Sequence, residues 1–150
     1  MTGSPNGPSR DVPTPDILVP ISVGELMDKI TILEIKSERI ANPSQRENIM
    51  RELAALRAVG LGDVDRAMLE RLADELRRLN ARLWDVEDAI RECDARGDFG
   101  SEFIELARAV YRLNDERARI KKAINLQSGS RLIEEKSYSR YDRGESGSSA

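Results

Sequence analysis

Apolar residues recur at spacings of three and four over most of the chain. The longest unbroken series is Leu69, Leu72, Leu76, Leu79, Leu83, Val86, Ile90 and Cys93. This is a heptad seam, and its length predicts one long helix packed knobs-into-holes against a neighbour. A second series follows "RGDFGS": Phe103, Leu106, Val110, Leu113, Arg117, Ile120 and Ile124, with an arginine in one apolar slot. Upstream, "ISVGELMDKITILEIKSERIA" places Ser22 three residues before Glu25 as a capping box, with Ile21 and Leu26 set for a hydrophobic staple. Leu26, Ile30, Leu33 and Ile40 mark its apolar face. Asn42-Pro43 stops this helix and starts another, with Asn42 as cap and Pro43 in the first turn; Ile49, Leu53 and Leu56 follow before "GLGD". Asp63 is placed to cap a third helix, and Ser101 or Asp98 to start a fourth.

The expected helices span 23–41, 44–58, 64–96 and 101–127. The fold class is all-α: an antiparallel helical bundle or coiled-coil hairpin with one long central helix. At 1.5 Å per residue the third helix is about 50 Å long, more than the first can cover. Either the second helix continues along it past a kink at Asn42-Pro43, or a second subunit does.

The ends read differently. Residues 1–18, starting "MTGSPNGPSRDVPTP", and residues 139–150 hold little to bury and are expected to be disordered tails around one helical domain at 19–138. "DILVP" reads as an extended lead-in, and Pro20 argues against a central strand. "RLIEEKSY" either docks back on the bundle through Leu132, Ile133 and Tyr138 or is an exposed recognition peptide.

Composition narrows the chemistry. Lys and Arg number 24 against 27 Asp and Glu, the signs are interspersed, and the one short basic run, "RARIKK", reads as a solvated helix face, so no nucleic-acid partner is expected. With no histidine and a single cysteine, there is no Ser–His–Asp or Cys–His machinery, no zinc-protease motif and no internal disulfide. Cys93 falls on the seam and reads as a small core residue. The longest apolar run near the start, "ILVPI", is too short for a signal core or membrane span, which makes the cytoplasm the expected location, with no membrane partner.

"LWDVEDAIRE" places the single tryptophan among carboxylates. In heptad register Asn80, Trp84, Glu87 and Arg91 form a stripe beside the seam, with Asp85, Asp88 and Glu92 further out. Ala107, Tyr111, Asn114, Ala118 and Lys121 form the equivalent stripe on the fourth helix. Folding the chain about residues 98–99 sets Glu87 level with Tyr111, Trp84 with Asn114, and Asn80 with Arg117. Two accounts compete for this convergence. In one, Arg117 is buried against Glu87 or Glu34 and the network fixes the bundle's register. In the other, the same groups line a pocket for a small polar or sugar-containing ligand, with Trp84 or Tyr111 stacking on it. Tyr111 otherwise reads as a core residue with its hydroxyl at the rim, and Asp28-Lys29 as a solvated helix face.

"PISVGELMDKITILEIKSERI", "LWDVEDAIRE", "DFGSEFIELARAVYRLNDERARIKKAIN" and "EEKSY" together resemble an uncharacterised bacterial family of small helical proteins, a domain of unknown function. The resemblance covers about residues 19 to 138. It carries over Asp28, Lys29, Glu34, Lys36 and Arg39, then Trp84, Glu87, Asp88 and Arg91, then Tyr111, Asn114, Asp115, Arg117 and Lys121. The occurrence of members near glycosyltransferase genes, or fused to tetratricopeptide repeats, implies a role around surface polysaccharide or sugar-nucleotide metabolism.

The sequence therefore points to a non-enzymatic binding or scaffolding module without cofactor or metal, partnered by a second copy or another helical protein. The candidate site or buried polar cluster comprises Glu34, Asn80, Trp84, Glu87, Asp88, Arg91, Tyr111, Asn114, Arg117 and Lys121. The alternative is a Mg²⁺-dependent all-helical nucleotide or phosphate-ester hydrolase. Glu34, Glu38, Glu87, Asp88 and Asp115 would hold the metal there, with Lys121 or Arg117 on a phosphate.

Overall fold

The computed structural model describes residues 15–137; residues 1–14 and 138–150, with most of the expected N-terminal tail, all of the expected C-terminal tail and Tyr138, lie outside the described residues. Four helices and no strand are found among the described residues: α1 (Val23–Arg39), α2 (Pro43–Arg57), α3 (Arg66–Ala95) and α4 (Ser101–Ser128). The protein is all-α.

Local chemistry sets each boundary. Ser22 Oγ accepts the Glu25 amide at 3.1 Å and starts α1. Ile40 turns extended at φ −91°, ψ 117°, and Asn42, disfavoured from the helical region by the proline after it, stays extended and accepts the Gln45 amide at 3.1 Å. The break is a reversal rather than a kink. α2 folds back over α1, setting Ile49 and Leu53 against Leu26, Ile30 and Leu33, and packs on no other helix. It therefore does not continue along α3, contrary to one of the two expectations. Because α2 is held through this single face, Asn42→Ala should cost about 1 kcal/mol in a urea melt.

The cap of α3 is Asp65, two residues later than expected, with its carboxylate accepting the Met68 amide at 3.1 Å. Leu61 and Val64 explain the delay, because both pack on the Met68–Leu72 cluster before the helix can begin. At the far end Gly97 takes φ 66°, and the Asp98 amide reaches back to the Cys93 carbonyl at 2.9 Å, a Schellman closure that turns the chain into α4. α4 starts at Gly100 without a side-chain cap; Asp98 instead accepts the Gly100 amide at 3.1 Å.

α3 and α4 form the antiparallel hairpin that the seam predicts. Leu69, Leu72 and Leu76 are buried with Ile124, Leu79 and Leu83 with Leu113, and Cys93 is buried nearer the tip, while Val86, Ile90, Phe103, Leu106, Val110 and Ile120 are half-buried. α1 lies parallel to α3 across one half of this hairpin. Met27, near its start, packs on the Met68–Leu76 cluster, and Arg39, its last residue, reaches Asp85 at 2.5 Å. Past Asp85 the two long helices continue together as an arm that α1 does not cover.

Candidate functional site

α1 has a second face that its aliphatic pattern does not show. Gly24, Asp28, Thr31 and Ile35 follow heptad spacing and are all buried, turned towards α3 and α4 while Leu26, Ile30 and Leu33 face α2. The polar half of this face builds the site. Asp28, 4% exposed, accepts the Asn80 side-chain amide at 2.9 Å and lies 3.9 Å from the Arg117 guanidinium. Asn80 also reaches Thr31 Oγ1 at 3.1 Å, and that hydroxyl donates to the Asp28 carbonyl at 2.9 Å. One turn nearer the start of α1, the Gly24 amide donates to the buried Asn125 side chain at 2.7 Å. Any Cβ at Gly24 would sit 2.5 Å from the Lys121 carbonyl oxygen. Glycine here sets how closely α1 meets α4.

Lys121 completes the cluster. Its side chain is buried, and Nζ donates to Glu25 at 2.7 Å and to Glu134 at 2.8 Å. Burial lowers its pKa, but the hydrogen bonds to Glu134 and Glu25, with the Glu25 and Asp28 charges nearby, outweigh this and hold the ammonium above the ordinary lysine value. The Lys121 hydrogen bond in turn holds the Glu134 carboxyl below the usual range against a burial effect, helped by the charges of Lys121, Lys136 and Arg117.

Of the residues expected to converge, the structure brings Asn80, Arg117 and Lys121 together. Arg117 is half-buried, as its apolar slot implies, but it faces Asp28 rather than Glu87 or Glu34. Asp28 is thus part of the core, correcting its reading as a solvated face; Lys29 beside it is exposed. Glu34 looks the other way, bridging Arg57 at 2.6 Å and Arg77 at 3.4 Å, and Arg77 also bonds Glu38. Trp84 lies under Arg39, whose guanidinium is 5.7 Å from the ring centre. Glu87 and Asp88 share Arg91 at 3.7 and 3.6 Å on the surface of α3. Asn114 donates to the Val110 carbonyl of its own helix at 3.0 Å, and Tyr111 is exposed.

Sequence reasoning missed Gly24, Thr31 and Asn125, and it named Asp28 through the resemblance without placing it in the core. The spacing of Gly24, Asp28, Thr31 and Ile35 was the available signal, hidden because three of the four are not aliphatic. Chemically, the cluster is a set of matched donors and acceptors locking α1 to the hairpin. Among the described residues no group of three or more Asp, Glu, Cys or His side chains is placed to hold a metal ion. Of the carboxylates named for the hydrolase alternative, Glu34 and Glu38 meet at Arg77, and Glu87 and Asp88 meet at Arg91. "RLIEEKSY" docks along α4 as far as Ser137, through half-buried Leu132 and the pairs Lys121–Glu134 and Lys122–Glu135, while Ile133 stays exposed.

No described helix is long and apolar enough to cross a membrane. No curated protein and no solved structure matches the chain. One family model does match, over residues 17–149, and the chain accordingly belongs to the family of unknown function DUF6165.

Proposed function

We propose that the protein is a non-enzymatic binding or scaffolding module that works as a homodimer joined through the α3–α4 arm. The observation that carries this reading is a groove that outruns its occupant. Where α1 lies, the groove between α3 and α4 is closed by contacts to Asn80, Arg117 and Lys121. The same helical faces continue past Asp85 as Glu87 and Arg91 on α3 and Ile104, Ala107 and Tyr111 on α4. Ile104 there is 53% exposed, and Phe99 at the tip is 56% exposed, edge-on to Phe103. Two helices alone bury only one seam, and a two-fold antiparallel pairing of arms turns two hairpins into a four-helix bundle.

The proposed setting is the bacterial cytoplasm, and a link to surface-polysaccharide or sugar-nucleotide metabolism is supported by the sequence resemblance. Analytical ultracentrifugation at micromolar concentration should give a dimer, and Ile104→Glu should give a monomer of unchanged helix content whose melt no longer depends on protein concentration, because that side chain is exposed in the single chain. A clean monomer mass for the unaltered protein would overturn the dimer. Mg²⁺-dependent pyrophosphate release from a nucleoside triphosphate, abolished by Glu87→Gln, would overturn the non-enzymatic reading.

A further inference from the structure

The end of the described chain occupies a position that invites a different ligand. After Gly129 the backbone leaves α4, and residues 131–137 run back along it, almost all of them exposed. They are held by half-buried Leu132 and by two carboxylates on adjacent lysines: Glu134 on Lys121 at 2.8 Å and Glu135 on Lys122 at 3.0 Å. Between segment and helix lies a cavity of about 230 Å³ into which Arg119, Lys121, Lys122 and Lys136 contribute, with Asp115 also in its wall. Glu134 thus sits in a cationic niche, bonded to Lys121 and close enough to Arg117 and Lys136 to feel both charges.

The asymmetry between the partners is informative. Lys121 is only 8% exposed and fixed by the packing of α1 on α4, whereas the Glu134 side chain is 45% exposed and Glu135 73% exposed. In both pairs the carboxylate is the more exposed partner, and it sits on a segment held by few other contacts, so it is the side that can be replaced.

We propose that this niche is a binding site for a phosphate or diphosphate group, and that Glu134 and Glu135 occupy it in cis until such a group displaces them. Lys121 and Lys122 would each take phosphate oxygens in place of the two carboxylates, and Arg119 would supply a further cation at the rim. Glu25, bonded to Lys121 from the α1 side, stays in place and keeps the ammonium charged. Tethering makes the carboxylates strong competitors, because a short linker presents them at a millimolar or higher effective concentration. Removing their charge should unmask the site. The proposal does not depend on the dimer, since the niche lies at the α1–α4 junction, away from the arm.

The test is calorimetric titration of inorganic pyrophosphate into the full chain and its Glu134→Gln/Glu135→Gln variant. The variant should bind at least about tenfold more tightly than the unaltered protein, and adding Lys121→Met should abolish the gain. If circular dichroism shows that the Lys121→Met chain is unfolded, Arg119→Ala/Lys122→Ala in the same background takes its place and should weaken binding. Sedimentation with phosphatidic-acid vesicles separates the two sources of the group: capture on vesicles without binding of free pyrophosphate assigns it to a lipid headgroup. Failure of the double variant to bind either probe, or a gain in affinity that survives loss of the niche cations, would overturn the site and leave the segment a structural clasp.

Discussion

Replacing Asp28 by alanine should lower the unfolding free energy by about 1.5–3 kcal/mol, the range for losing hydrogen bonds to a charged group. The carboxylate is 4% exposed and accepts from Asn80 while facing Arg117, so its loss leaves the buried Asn80 amide with Thr31 alone and the half-buried guanidinium without its carboxylate. This is a large fraction of the stability of a small domain. Asp28→Asn should cost less, because it keeps an acceptor for Asn80 while losing the charge that Arg117 and Lys121 feel. Arg117→Ala should cost only about 1 kcal/mol, because its pairing distance is 3.9 Å, its side chain is 29% exposed, and Asp28 keeps Asn80 as a partner. Urea unfolding of the three variants checks the order. If Arg117→Ala costs as much as Asp28→Ala, the charge pair rather than the carboxylate is the centre of the network.

Gly24→Ala is the second large effect, expected to destabilise by about 3 kcal/mol, at the upper end of the range for overpacking. The added methyl meets the Lys121 carbonyl oxygen at 2.5 Å and Asn125 Oδ1 at 2.8 Å. The first of these is backbone in the middle of α4 and cannot rotate away. Alanine's better helix propensity, about 1 kcal/mol, offsets part of the loss. The outcome to expect in a thermal melt is a lower midpoint together with a weakened Lys121–Glu25 contact, since α1 must back away from α4. A melt equal to or above that of the unaltered chain would show that α1 does not sit this close.

The seam of α3 was legible because aliphatic side chains at three-and-four spacing have one physical use, and the capping residues Ser22 and Asn42 were legible because an orphan amide needs an oxygen. The reversal at Asn42-Pro43 was not, since proline at a first turn permits a kink or a turn equally. What decides is that Ile49 and Leu53 find their partners on α1, a choice made by tertiary packing. The site divided in the same way. Arg117 betrayed itself by occupying an apolar slot, whereas Asp28 resembled any surface acid, because burial of a carboxylate is set by neighbours such as Asn80, 52 residues distant in the chain. Trp84 drew notice as the single indole, yet its surroundings are Arg39 and Asp85, a contact that needs the length and direction of α1 to be known.

The Val23 amide donates to the Ser130 hydroxyl at 3.4 Å, so the chain enters and leaves its helical body at one pole. The turn at Gly97–Gly100 is the opposite pole, about 40 Å away along α4. In the dimer proposed above, the arms overlap tip to shoulder, and the two pairs of entry and exit points fall at the far ends of a rod about 60 Å apart. Such a dimer would be a spacer, with the Val23 and Ser130 ends of its two subunits at opposite ends of the rod.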